Sequence, residues 1–431
     1  MLILHRISFE TGHGSRMMIR FLTVLAGLAI GLCSHRLCTA DDGEDLFALA
    51  AGYYSQQRWE EAAGKMLTLY ETLPDHKRAP EAAFYRGESL MQLERYAPAI
   101  ESFQHFIDQW PDHTKSPHAI FRVGEAAYLK GDHPVAAEWL RRFVKDHPKD
   151  NLREFALPYL GEIGLAANDF AQAQADFENA LKQWPTGVMS ERCRFGLARA
   201  FDGQGEWQEA QRFYSFVGFQ GTTELVDEAL LNLAILQFQN KAEGDVEETL
   251  NGIIEQEPPD PLSGRAWYLI GRSRQAKGNY EQAAEAFDNG IAAVGGFEDE
   301  IAPALVYESA LTYEQLKRST DAAERWQLLV NDYPNSGYTK DAIQKQIESA
   351  YASQDWERVL ELTADEADQA DSQSTSINAP LVREYRGRAL LESEKYSDAA
   401  STFKELIDSR SISDLTEEEL SYAYLLGLSL V

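Results

Sequence analysis

The stretch Gly124–Pro148, GEAAYLKGDHPVAAEWLRRFVKDHP, decides the fold. It sets a small residue at Gly124, a turn at Gly131, a second small residue at Ala136, apolar Leu140 and Phe143, and a helix-stopping Pro148. Moved 37 residues either way, the order recurs. The residue that follows each turn runs Trp59, Tyr96, His133, Phe170, Trp207, Tyr280, Trp356 and Tyr396, with Glu243 and Ser319 as weaker members. Three residues on stand Ala62, Ala99, Ala136, Ala173, Ala210, Ala283, Val359 and Ala399, and in the weaker pair Val246 and Ala322. A generic amphipathic bundle predicts an apolar period of 3.6 but no register of this length. Ten registered units predict an all-α repeat array.

Each position carries a physical demand. The first helix of a unit holds a small residue (Ala50, Gly87, Gly124, Gly161, Ala198, Ala234, Gly271, Ala310 and Gly387), expected to face the alanine of the second helix where the two cross. Backbones approach closely only where side chains are this small. Met66, Phe103, Leu140, Phe177, Tyr214, Phe287, Trp326 and Phe403 then fill the space against the next unit. Pro74, Pro111, Pro148, Pro185, Pro258 and Pro334 end second helices, because proline lacks the N–H and clashes with the preceding turn. Gly131, Asn168, Gly205 and Gly278 supply the turn between helices.

The pattern resembles the tetratricopeptide repeat (TPR) from about Gly43 to Val431, with the family's small-x11-small core and terminal proline. The resemblance implies a right-handed superhelix, an α-solenoid of about ten helix-turn-helix repeats whose first helices line the concave side. The segments PEAAFYRGESL (80–90), SPHAIFRVGEAAYLKGD (116–132) and LVNDYPNSGYTKDA (329–342) look most like bacterial envelope TPR proteins. Examples are the periplasmic coordinator of the Tol-Pal system and BamD-like outer-membrane assembly lipoproteins; what they imply here is a compartment and a binding role.

Residues 1–40 read as a cleavable signal peptide. Arg16 and Arg20 form its basic start, Phe21 to Leu32 an apolar run too short to span a bilayer, and Cys38-Thr39-Ala40 the small-residue site, with cleavage expected after Ala40. Leu32 and Leu37 precede the two cysteines, so a lipid-anchoring box is absent. Without residues 1–40 the chain keeps 36 basic against 68 acidic residues, a net of −32, which repels nucleic acid and anionic lipid. Cys193 then stands alone, a buried structural thiol, and no internal disulfide is possible. The expected division is a signal at 1–40, an array over 43–364, an acidic serine-rich loop at 365–380 and further units over 381–431. Phe297 to Ile301 reads as a longer linker, and Glu417 to Val431 as a first helix without its partner, the expected end of a fragment of a longer protein.

No phosphate loop, nucleophile elbow or H-E-x-x-H occurs, and the spacing of His113 and His118 fits no zinc pattern. The chain is therefore expected to be non-catalytic, without cofactor or metal. By resemblance, groove positions lie three before and one after the small residue of each first helix. The first row gives Phe47, Phe84, Phe121, Pro158, Phe195, Leu231, Tyr268 and Tyr307; the second gives Ala51, Glu88, Glu125, Glu162, Arg199, Ile235, Arg272 and Leu311. Such an aromatic row is either core between neighbouring first helices or a binding face. In the second case Phe47, Phe84 and Phe121 are partly exposed and, with Glu81, Glu88, Glu125 and Glu162, hold a peptide carrying basic and apolar residues. Arg192, Arg199, Arg265 and Arg272 form an anion-preferring patch beyond them, with Tyr268 beside it. The expected function is a protein-binding scaffold of the periplasm or cell envelope. The alternatives are a targeting module of a longer protein or a cytoplasmic co-chaperone-like adaptor.

Overall fold

The computed structural model describes residues 40–241, 243–256, 262–294, 300–364, 379–407 and 417–430, and every regular element among them is an α-helix. Residues 1–39 of the signal peptide, Pro258, residues 297–299 of the linker and residues 365–378 of the acidic loop lie outside the described residues. Two compact units divide between Trp139 and Leu140. In chain order the first holds α1 (Ala40–Ser55), α2 (Trp59–Thr72), α3 (Ala79–Gln92), α4 (Tyr96–Gln109) and α5 (Ser116–Leu129), and the division falls inside α6 (His133–Asp146). The second unit holds α7 (Arg153–Ala166), α8 (Phe170–Gln183), α9 (Ser190–Gly203), α10 (Trp207–Gln220), α11 (Val226–Gln239), α12 (Glu243–Ile254), α13 (Ser263–Ala276) and α14 (Tyr280–Ala293). It continues with α15 (Ala302–Gln315), α16 (Ser319–Asp332), α17 (Thr339–Ala352), α18 (Trp356–Leu362), α19 (Ala379–Glu392), α20 (Tyr396–Leu406) and α21 (Glu417–Ser429). Within each unit consecutive helices pack against one another, from α1 with α2 in the first and α7 with α8 in the second, the all-α repeat arrangement that the sequence predicts.

All ten second helices begin at the expected residue, from Trp59 to Tyr396 and including the weak members Glu243 and Ser319. The reason lies two residues upstream. Gln57, Glu94, Gly131, Asn168, Gly205, Lys241, Gly278, Lys317, Gln354 and Glu394 all have φ between 57° and 85°. The turn thus demands a left-handed residue in every unit, and only three units supply glycine. A side chain there costs roughly 1 kcal/mol. Lys317→Gly is therefore expected to stabilise the chain by about 0.5–1 kcal/mol, read as a higher urea midpoint. Gly278→Ala should cost about as much, for conformational reasons alone, since a Cβ at Gly278 meets nothing within 4 Å.

Helix ends follow the prolines. α2, α4, α8 and α16 stop two residues before Pro74, Pro111, Pro185 and Pro334. The intervening Leu73, Trp110, Trp184 and Tyr333 have φ near −130° and ψ of 51–70°, outside the helical region, as a residue before proline must be. The acidic loop is shorter than expected at its end. α19 already includes Ala379 and Pro380, because proline is compatible with a first helical turn.

One expectation about packing is corrected. The small residue of the first helix does not make room for the alanine of the second; it makes room for a large group sixteen residues on. A Cβ built on Gly87, Gly161, Gly271 or Gly387 would lie 2.6, 2.5, 2.3 or 2.7 Å from the ring of Phe103, Phe177, Phe287 or Phe403. The alanine meets a residue one helical turn further: a Cβ on Gly164 would stand 3.0 Å from Ala173. All four rings are fully buried. Where the first helix carries Ala50, Ala198, Ala234 or Ala310, the matching positions hold buried Met66, Tyr214, Leu250 and Trp326. Where it carries Ile347, the match is Thr363. In the second unit one core cluster joins Leu157, Phe177, Phe195, Tyr214 and Leu233, so neighbouring pairs share a core.

Candidate functional site

In the first unit the predicted binding face is mostly architecture. Phe84 is 2% and Phe121 3% exposed, so the expectation of partly exposed rings is corrected for both. Phe84 packs edge-on against Phe103 and Phe106 at 5.5 and 5.7 Å. Only Phe47 keeps partial exposure, with the Arg78 guanidinium 4.9 Å over its ring. At the same position Phe195 is also buried, whereas Tyr268 and Tyr307 stay partly exposed, so the row is core in some repeats and half-covered in others.

The acidic row is also engaged. Arg122 of α5 donates from Nε and Nη2 to both oxygens of Glu88 on α3, at 2.8 and 2.9 Å, and from Nη1 to Glu125. Burial pushes the Glu88 carboxyl up, opposed by Arg122. Burial disfavours the Arg122 charge, but Glu125 and Glu88 more than restore it. Glu81 lies 3.5 Å from Arg78.

In the second unit the basic row is consumed in the same way. Arg199 meets Glu162 at 3.0 Å, with Arg192 at 4.0 Å from the same carboxylate. Arg272 meets Glu308 at 2.7 Å and donates to the Tyr268 hydroxyl at 3.2 Å. The charged position after the small residue is thus a ladder between consecutive repeats, not the anion-preferring patch expected of Arg192, Arg199 and Arg272. The ladder has a gap where that position is Ile235. There the first helices α11 and α13 leave a cleft of about 500 Å³. Leu231, Ile235, Leu262, Tyr268 and Leu269 supply its apolar lining, and Glu224, Asp227, Glu228 and Arg265 its charged lining. The sequence pointed to Leu231, Ile235, Arg265 and Tyr268, and missed the three acids. The one signal in the sequence was the uncharged Ile235 in a row otherwise mostly charged.

Burial pushes the Cys193 thiol up to about 12, making it a structural group. The loop histidines hold turns: His76 and His113 each accept from the backbone N–H two residues on, at 3.1 Å. Among the described residues no cluster of histidine, cysteine or carboxylates is arranged to hold a metal.

Models of the tetratricopeptide repeat match residues 47–114, 164–215 and 268–335. The chain carries tetratricopeptide repeats. Two solved structures of TPR proteins are similar to it. One, from Parabacteroides merdae, is 16% identical with a TM-score of 0.43, over 62% of this chain and 98% of that one. The other, the C-terminal part of a TPR protein from Cytophaga hutchinsonii, is 16% identical with a TM-score of 0.49, over 60% and 98%. No curated protein matches the chain. The TPR matches take in Phe47, Phe84, Arg199, Tyr268 and Arg272, and the ladder joins the first helices of consecutive repeats.

Proposed function

We propose that this TPR chain is a non-catalytic, protein-binding scaffold of the cell envelope, exported by its N-terminal signal and gripping partner segments on first-helix faces. The observation that carries the reading is the α11–α13 cleft, where the inter-repeat ion pairs give way to an apolar lining together with Glu224, Asp227 and Glu228. An anchor side chain that is bulky and apolar fits the apolar lining, and a basic neighbour on the same segment fits the acids. A preformed surface lowers the ordering cost of capturing a flexible segment. The net charge of −29 weighs against nucleic acid as the partner.

A photo-crosslinking residue at position 235, in cells, tests this against the same residue at the exposed position 324 of α16. A discrete partner band at 235, lost on Leu231→Asp, is the expected result. Equal labelling at both positions overturns groove binding. N-terminal sequencing of the native protein tests export, and a chain that still begins at Met1, Met17 or Met18 overturns it.

A further inference from the structure

The second-helix side of the first unit holds a feature that repeat architecture does not require. A cleft of about 630 Å³ lies along α2 and α4, a volume in the range of small-ligand sites. Tyr70 and His105 form one wall, their rings stacked with centroids 5.1 Å apart. Trp110 stands at right angles to His105, 5.9 Å away and inclined at 86°, so the two rings meet edge to face and turn a corner. Tyr70 is 8% exposed, and its hydroxyl makes no hydrogen bond to any described residue. Glu71, Asp75 and Glu101 line the same cleft, exposed and without an ion pair to any described residue. Arg86, also on the wall, donates to Ser102 Oγ at 2.6 Å.

The sequence argues that this is not packing. Moved on by 37 residues, Tyr70 becomes Ile107 and His105 becomes Arg142, so the repeat folds without the aromatic pair. Ring faces attract a cation with an apolar skirt, and unpaired carboxylates add a longer-range pull. We propose that the α2–α4 cleft binds an organic ammonium group, seated at the Tyr70–His105–Trp110 corner and held by Glu71, Asp75 and Glu101. The group could be the head of a free solute or a lysine side chain of a partner. The site is separate from the first-helix cleft and stands whether or not that cleft captures a segment.

Ligand-observed NMR titration of the full chain tests it, using choline and its neutral isostere 3,3-dimethylbutan-1-ol. Choline is expected to bind at least about fivefold more tightly than the isostere. Glu71→Gln/Asp75→Asn/Glu101→Gln should erase that preference, and His105→Leu should weaken choline binding several-fold. All four side chains are exposed, so unchanged melting of both variants keeps the test about binding. Equal binding of choline and isostere, no binding of choline at tens of millimolar, or full preference in the triple variant overturns the proposal. Nα-acetyl-lysine methylamide separates the sources: tighter than choline, it assigns the cleft to a partner's lysine; weaker, to a free ammonium solute.

Discussion

Gly161→Leu is expected to cost about 3 kcal/mol or more of folding free energy, read from urea unfolding. The first atom of any side chain at position 161 would already stand 2.5 Å from the Phe177 ring. That ring is fully buried in the cluster shared by α7 to α11 and cannot withdraw. Gly161→Ala alone should cost about 1–3 kcal/mol as overpacking. Adding Phe177→Leu should recover part of that loss, because it recreates the pair found naturally at Ala234 and Leu250. A coupling of at least about 1 kcal/mol between the two substitutions is expected, as for residues in direct contact. Strictly additive costs would mean that position 161 does not set the spacing of α7 and α8. The Ala198–Tyr214 and Ala310–Trp326 pairs show that spacing is set repeat by repeat, so the rescue belongs to this pair and need not transfer.

The same pairing shows what the sequence could and could not reveal. Register was legible because it repeats: ten second helices begin where the ladder places them, even at Glu243 and Ser319, where no aromatic marks the start. The partner of the small residue was not legible. An alanine twelve residues on and a large group sixteen residues on are equally periodic, and only the crossing geometry tells which of them fills the notch. The left-handed turn residue was legible where it was glycine or asparagine and invisible at Lys317 or Gln354, since a charged or amide side chain carries no signal for φ.

The binding face was legible as positions but not as chemistry. Glu88, Glu125 and Glu162 look free in sequence because their cations, Arg122 and Arg199, belong to first helices up to a repeat away. Reversing those acids to lysine would therefore strip the partners from the half-buried Arg122 and the more exposed Arg199 before it tested any ligand. The α11–α13 cleft emerged from the opposite circumstance: Ile235 interrupts the charged row, and Glu224, Asp227 and Glu228 make no ion pair among the described residues, Asp227 accepting only from the Gln256 amide.

Arg122→Met should expose how much of the first unit rests on that ladder. Glu88 is 7% exposed and accepts two hydrogen bonds from Arg122; removal of the guanidinium leaves Glu88 and Glu125 facing each other with little solvent. A loss of about 3 kcal/mol at pH 7 is expected, the scale of a buried pair that loses one partner. The pH dependence has a definite sign. Burial raises the Glu88 pKa, so the folded state holds that proton more tightly than the unfolded chain does. The Glu88 contribution therefore favours folding most below the ordinary carboxylate range, declines as pH rises through the folded pKa, and is constant above it. Without Arg122 the fall should be steeper and extend to higher pH, so the variant's deficit shrinks on acidification. Glu88→Gln/Arg122→Met/Glu125→Gln, which removes every charge of the cluster, should recover most of the loss, because the cost lies in the stranded carboxylates. A deficit under about 1 kcal/mol at pH 7, or one independent of pH, would mean that water reaches the cluster and the ladder carries little of the fold.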